Sequence, residues 1–153
     1  MGGILGEDTE IPAGAYVSTA PDFHRFAEML RRGGELDGVR ILSPATVASV
    51  QANRTGDEPN TIWAYAEVMR GWEPFPANLG LGFFLRGEGA FPTPFGLLAS
   101  PSTFGGFGAG SSVFWIDPVS DVTYAFLSSG LLEDSHSIER HMRLSDLVHA
   151  AVV

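Results

Sequence analysis

Two short apolar runs, Val113-Phe114-Trp115-Ile116 and Val122 to Leu127, stand on either side of Asp117-Pro118-Val119-Ser120-Asp121. β-Branched and aromatic residues in runs this short, bounded by turn formers, read as strands. Their spacing makes them an antiparallel hairpin with a five-residue turn. A hairpin alone is marginal in water and needs further strands or a packed helix, so this feature constrains the rest of the chain. Leu79 to Arg86, with glycines at 80 and 82, reads as a third strand. Ser135 to Val152 reads as the packing helix. Ile138, Met142, Leu144, Leu147, Val148, Ala151 and Val152 spread over one broad face, opposite Glu139, Arg143 and Asp146. Glu139 and Arg143 can pair at i, i+4.

Two further helices precede the strands. Ser18 or Thr19 caps the first, with Pro21 and Asp22 in its opening turn. Phe23, Phe26, Ala27 and Leu30 form its apolar stripe, and Gly33-Gly34 stops it. Ser43-Pro44 opens the second, with Val47 and Val50 inward, and the pattern fades by Asn53. Residues 54–78 carry turn formers around Ile62 to Met69, and 87–103, with three prolines and three glycines, form a long loop. The expected class is therefore α+β: a small antiparallel sheet packed by a C-terminal helix, with two N-terminal helices. One domain over residues 1–153 fits the length. A three-stranded sheet leaves two edges exposed to pairing.

Composition removes whole classes of chemistry. All nine positive side chains are arginine, so Schiff-base, P-loop and Ser-x-x-Lys mechanisms lack their amine. There is no cysteine, hence no thiolate metal site or disulfide framework. A net charge of −9 argues against nucleic acid and anionic membrane as partners. No apolar run approaches a membrane span, and Met1 to Glu10 lacks a basic n-region, so a cytoplasmic location is the default expectation.

The titratable residues assemble no known site pattern. His136 and His141 lie about 140° apart on a helix, and His141 and His149 are two turns apart. Neither spacing fits a metal ligand pair, so no metal or cofactor is expected. His141 and His24 read as core or boundary histidines. Glu7, Asp8, Glu10, Asp57, Glu58, Glu133 and Asp134 fall in loops and termini and read as a solvated acidic surface. Gly-x-Ser-x-Gly is absent; Gly108-Ala109-Gly110-Ser111-Ser112 lacks the closing glycine and leads into a strand. The glycine run Phe104 to Gly110 also precedes a strand, so no helix dipole is there to hold a phosphate. It reads instead as a strand stripped bare for a close approach, by a ligand or by another part of the chain.

Several phrases occur in a telling order: Ala15-Tyr16-Val17-Ser18-Thr19-Ala20-Pro21-Asp22-Phe23, then Gly34 to Pro44, then Gly80-Leu81-Gly82-Phe83, then Phe104 to Pro118. Together they resemble the later portion of the serine β-lactamase-related hydrolases, the family of class C β-lactamases, penicillin-binding-protein-like enzymes and related esterases. The resemblance implies a partial β-lactamase/transpeptidase-like fold. Family members carry Ser-x-x-Lys and a Tyr-x-Asn-like motif upstream, and neither is in this chain. The third family motif maps without a gap onto Gly106-Phe107-Gly108, keeping only its last glycine; a register shifted by two residues puts Phe104 first. By the same resemblance the oxyanion-hole N–H falls on Ala109, a backbone donor that any residue type can supply.

The resemblance therefore implies a truncated or split hydrolase segment carrying the oxyanion-side strand Gly106, Phe107, Gly108 and Ala109, with no catalytic residue of its own. Activity would then require a partner chain bearing Ser-x-x-Lys. The alternative is a non-enzymatic binding or self-assembly module that pairs through an exposed strand edge. Trp63, Trp72, Phe75, Phe91 and Phe95, in expected loops, would serve that module, or would be orphaned core contacts. A self-sufficient esterase using Ser111 or Ser112 has no base placed beside either.

Overall fold

A computed structural model describes residues 17–108 and 112–152. Helix α1 (Ala20–Arg31) starts where expected, with Thr19 Oγ1 accepting from the Asp22 N–H at 3.3 Å. After Gly33-Gly34 comes a tight hairpin of β1 (Glu35–Leu36) and β2 (Val39–Arg40). Its turn is Asp37-Gly38, with φ values of 52° and 78°. Asp-Gly is the favoured pair for such a two-residue turn. Helix α2 (Pro44–Val50) is capped by Ser43, whose Oγ accepts from the Thr46 N–H at 3.0 Å. Helix α3 (Ala64–Arg70) follows and ends on Gly71 in the left-handed region.

The expected strand over Leu79 to Arg86 shrinks to β3 (Phe84–Leu85). Gly82, at φ 80°, folds 79–85 back on itself, and the Gly80 N–H donates to the Phe83 carbonyl at 2.8 Å. Residues 87–103 form the long irregular segment that their prolines dictate. Strands β4 (Phe104–Gly108), β5 (Ser112–Asp117) and β6 (Val122–Leu127) complete an antiparallel sheet in the order β3-β4-β5-β6. Asp117 pairs with Val122, so the hairpin turn is four residues, Pro118–Asp121, rather than five. Helix α4 (Asp134–Ala151) closes the chain, its first N–H groups donating to the Glu133 carboxylate.

The sheet is covered on both faces, not on one. Phe104, Phe114 and Ile116 turn toward α1 and α2, meeting Ala27, Leu30 and Val47. Val113 and Trp115 turn the other way, toward Phe95, Ala99 and Val148 of α4. Each fully buried side chain of this size contributes about 1.5–3 kcal/mol. β5, central and flanked by helices, is buried from Val113 to Asp117. Three of the loop aromatics, Trp63, Phe75 and Phe95, are core residues, while Trp72 and Phe91 are partly buried against the Trp63–Phe75–Ile138 cluster.

The face that α4 presents corrects the sequence expectation. Ile138, His141, Ser145 and His149 are buried, while Leu147 is 67% exposed. The reason is polar. The Trp115 indole N–H donates to Ser145 Oγ at 2.9 Å, and Ser145 Oγ donates to the Pro94 carbonyl at 2.9 Å. His149 stacks on Trp115 with ring centroids 4.4 Å apart. Burying Trp115 requires a partner for its N–H, and only small or hydrogen-bonding residues on α4 can meet it. Among the described residues no helix is long and apolar enough to cross a membrane.

Candidate functional site

β4 carries the residues singled out by resemblance, and alternation splits them between the two faces. Phe107 points toward α4, edge-on to Trp63 at 5.9 Å and to His141 at 5.8 Å. Gly106 and Gly108 lie on the α1 face. A Cβ on Gly106 would stand 2.5 Å from Phe114 Cε1, so the Phe114 ring lies directly over that position. A Cβ on Gly105 would stand 2.0 Å from the Phe114 carbonyl oxygen. The close approach anticipated at the glycine run is thus made by β5. Phe114 is itself held edge-on by Phe23 at 4.9 Å and Phe26 at 5.7 Å.

Ala109, Gly110 and Ser111, next in sequence, lie outside the described residues. Ser112 opens β5 and pairs with Gly108 and Leu127. A Cβ on Gly108 would meet Ser112 Oγ at 2.9 Å, a side-chain end that can rotate away.

Behind β4, the buried His141 is pushed down to about 4 by burial and by the neighbouring Arg140 guanidinium. It is neutral at pH 7, and its Nε2 faces an Arg140 nitrogen at 3.2 Å. His141 and Phe107 thus form a dry support for the strand. His24, expected at a core boundary, is exposed. His136 sits at the surface beside Arg70, with 2.8 Å between their nitrogens. Among the described residues no group of three His, Asp or Glu side chains could hold a metal ion. Glu133 is the α4 cap, whereas Asp57 and Glu58 are exposed as expected. Glu7, Asp8 and Glu10 lie outside the described residues.

The densest polar cluster was not visible in the sequence. Asp117, read there as a turn residue, is fully buried. It accepts from Ser100 Oγ at 2.6 Å, from the Ser100 N–H at 3.0 Å, and from the N–H groups of Val119 and Ser120. His149 Nε2 lies 3.2 Å from its other oxygen. Burial pushes the Asp117 carboxyl up, but these hydrogen bonds outweigh it and hold the group at about 2. The cluster ties the long loop, the β5–β6 turn and α4 together. Its oxygens are consumed by these partners, so it is a structural lock rather than a reactive centre. A cleft of about 410 Å³ lined by Trp72, Pro74 and Phe91 and a basin of about 470 Å³ lined by Arg70, Glu139 and Arg143 are not lined by residues 106–108.

An antiparallel sheet between helices, with a glycine-bearing strand β4 whose last three residues extend past β3, defines an α+β fold. The Beta-lactamase family model matches residues 2–147, and the chain belongs to that family. It is similar to "Esterase/beta-lactamase LipL" of Mycobacterium tuberculosis, with 31% identity over 82% of this chain and 25% of LipL. It is also 47% identical to Protein Rv1367c of the same species over 45 residues, 29% of this chain and 11% of that protein. Among solved structures it is similar to a beta-lactamase (Mb2281c) from Mycobacterium bovis, at 26% identity and a TM-score of 0.67. That match covers 88% of this chain and 44% of the M. bovis chain. The chain thus spans about a quarter of LipL and less than half of the M. bovis protein.

Proposed function

We propose that this chain is the oxyanion-side portion of a β-lactamase-related serine hydrolase and is not catalytic by itself. The observation that carries this reading is β4: Gly106, Phe107 and Gly108 pair with β5 and extend past β3, which reaches only Phe104 and Gly105, and Phe107 is backed by His141; the resemblance puts the Ala109 N–H donor next in sequence. A backbone donor at the end of a rigid strand needs no reorganisation to meet developing negative charge. The nucleophile and its base come from a segment bearing Ser-x-x-Lys, because no lysine is present here to serve Ser111 or Ser112. The outward side of α3 supports a missing counterpart: Ile62, Tyr65, Val68 and Met69 are each more than half exposed, a grouped apolar surface of the kind that partners cover.

The test is intact-mass analysis after incubation with a fluorophosphonate, and separately with a penicillin. The purified chain should gain no adduct. Mixed with the part of the M. bovis protein that this chain does not cover, the label should appear on that part's serine. A stoichiometric adduct on Ser111 or Ser112 of the chain alone would overturn the reading.

A second reading is favoured by the Phe114 ring. Because it fills the space over Gly106, the first motif position has no room for a substrate-orienting side chain. On this reading the chain is a non-enzymatic binding or self-assembly module built on the family fold. Labelling of the mixture described above would exclude it.

A further inference from the structure

We infer that His149 carries both of its ring protons in the fold, and that this charge latches the last turns of α4 to β5 until rising pH removes one of them. Both ring nitrogens face acceptors that have no proton to give. Nδ1 lies 2.8 Å from the Ser145 carbonyl oxygen, and Nε2 lies 3.2 Å from Asp117 Oδ2. A neutral imidazole donates from one nitrogen and presents a lone pair at the other. Either neutral form would set that lone pair against an oxygen: the carbonyl if the proton is on Nε2, the carboxylate if it is on Nδ1. The imidazolium donates at both and satisfies both.

Asp117 does not take up the proton instead. Its oxygens accept from Ser100 Oγ, the Ser100 N–H, Ser120 Oγ and the N–H groups of Val119 and Ser120. Donors converging on both oxygens hold a carboxylate ionised. A third support is Trp115, whose ring stacks on His149 with planes 18° apart. The face of an indole attracts a cation, most strongly where water is excluded. All three groups are interior: Asp117 and Trp115 are fully buried, and His149 is 7% exposed.

The other titratable groups around the ring leave its charge to these partners. On β6, Tyr124 stacks on Trp115, and burial pushes its phenol up, so it is uncharged. On α4, Asp146 is turned to the long loop, where its Oδ1 accepts from the Leu98 N–H at 2.8 Å. The loop itself brings the uncharged Ser100 to Asp117. The two bonds of the imidazolium differ in what they hold. Nδ1–H reaches a carbonyl four residues back in the same helix, whereas Nε2–H ties the helix to β5. A neutral ring that keeps the first loses the second and leaves a lone pair facing a buried carboxylate. The latch is therefore closed while the ring is doubly protonated and opens as pH rises. It does not depend on where the nucleophile resides.

The test is heteronuclear NMR of the His149 ring in the full chain, recorded with amide hydrogen exchange as pH is raised from mildly acidic to alkaline. The expected result is a proton on both ring nitrogens wherever the amides of 146–150 are protected. Loss of one proton should coincide with roughly tenfold or greater acceleration of exchange at those amides, the scale of one charge-assisted hydrogen bond. That acceleration is read beyond the ordinary base catalysis of exposed amides, and the β5 amides should hold. His149→Gln, which keeps a neutral donor, should exchange at the released rate at every pH, with the step gone. If that variant unfolds, the ring nitrogens of the unaltered chain decide the matter. A ring with one bare nitrogen while the end of α4 stays protected overturns the inference. So does exchange at 146–150 that is indifferent to the protonation of the ring.

Discussion

Gly106→Ala separates two explanations of the glycine at the first motif position: room for a ligand, or room for Phe114. Gly106 is not in the left-handed region, so alanine can adopt its backbone without strain. The cost is steric. The new Cβ would lie 2.5 Å from Phe114 Cε1 and 3.2 Å from Cδ1 and Cζ. The ring cannot swing aside, because Phe23, Phe26 and Phe83 surround it edge-on at 4.9, 5.7 and 6.2 Å. Overpacking of this kind costs about 1–3 kcal/mol, offset by the roughly 0.5–1 kcal/mol that alanine gains over glycine inside a strand. The net loss is about 1–2 kcal/mol, a fall in Tm of about 3–6 °C at this size.

A double-mutant cycle followed by urea unfolding assigns that loss to the ring. Phe114→Ala alone should cost about 3–5 kcal/mol. In its background Gly106→Ala should become neutral or slightly stabilising, a coupling of about 1–3 kcal/mol. Gly105→Ala is the control, since its Cβ meets the Phe114 carbonyl oxygen at 2.0 Å and truncating the ring cannot relieve that. A neutral Gly106→Ala in the intact protein, or zero coupling, would refute the packing argument and return the space over Gly106 to a ligand.

Two further outcomes follow from the charged groups. The Arg31 guanidinium beside Glu28, aided by Arg32 and Thr123 against some cost of burial, holds that carboxyl at about 2 instead of 4.5, and Asp117 also stands at about 2. Both are depressed acids, so their stabilisation is complete above the ordinary carboxylate range and is lost as pH falls from about 4.5 toward 2. The urea midpoint should therefore be flat from neutral pH to roughly pH 5 and then decline, by on the order of 2 kcal/mol for each group. Glu28→Gln should flatten part of that decline, and an unchanged acid slope would disprove its share. Asp117→Asn places an amide among donors that need an acceptor. It should cost about 3–5 kcal/mol and weaken the near-ultraviolet dichroism of Trp115, on which His149 stacks; a loss below about 1 kcal/mol would refute the lock.

Local chemistry was legible in the sequence, and long-range chemistry was not. The caps Thr19 and Ser43, the glycine stop after α1 and the β5–β6 hairpin each depend on residues within a few positions of one another. Residues 79–86 misled because their alternation is that of a strand, while Gly82 turns the chain before it can pair. The orientation of α4 misled for a different reason. Its apolar residues define a plausible buried face, but Trp115 and Asp117, some thirty positions away in sequence, need Ser145 and His149 instead. The candidate strand was located by resemblance. What stands over it, the Phe114 ring, comes from a neighbouring strand whose register no local pattern specifies.

The face that α4 buries and the covering of both sides of the sheet bear on function together. Had α4 buried its leucines against a one-sided sheet, the loop aromatics would be free to bind, and the α1 face of β4 would lie open. Instead both faces are filled by the chain's own residues, and Trp63, Phe75 and Phe95 belong to the core. The backbone of 106–108 keeps partial exposure, as do the outer side of α3 and the edge of β6. A unit that covers its own sheet on both faces holds β4 in place whether or not a nucleophile is near.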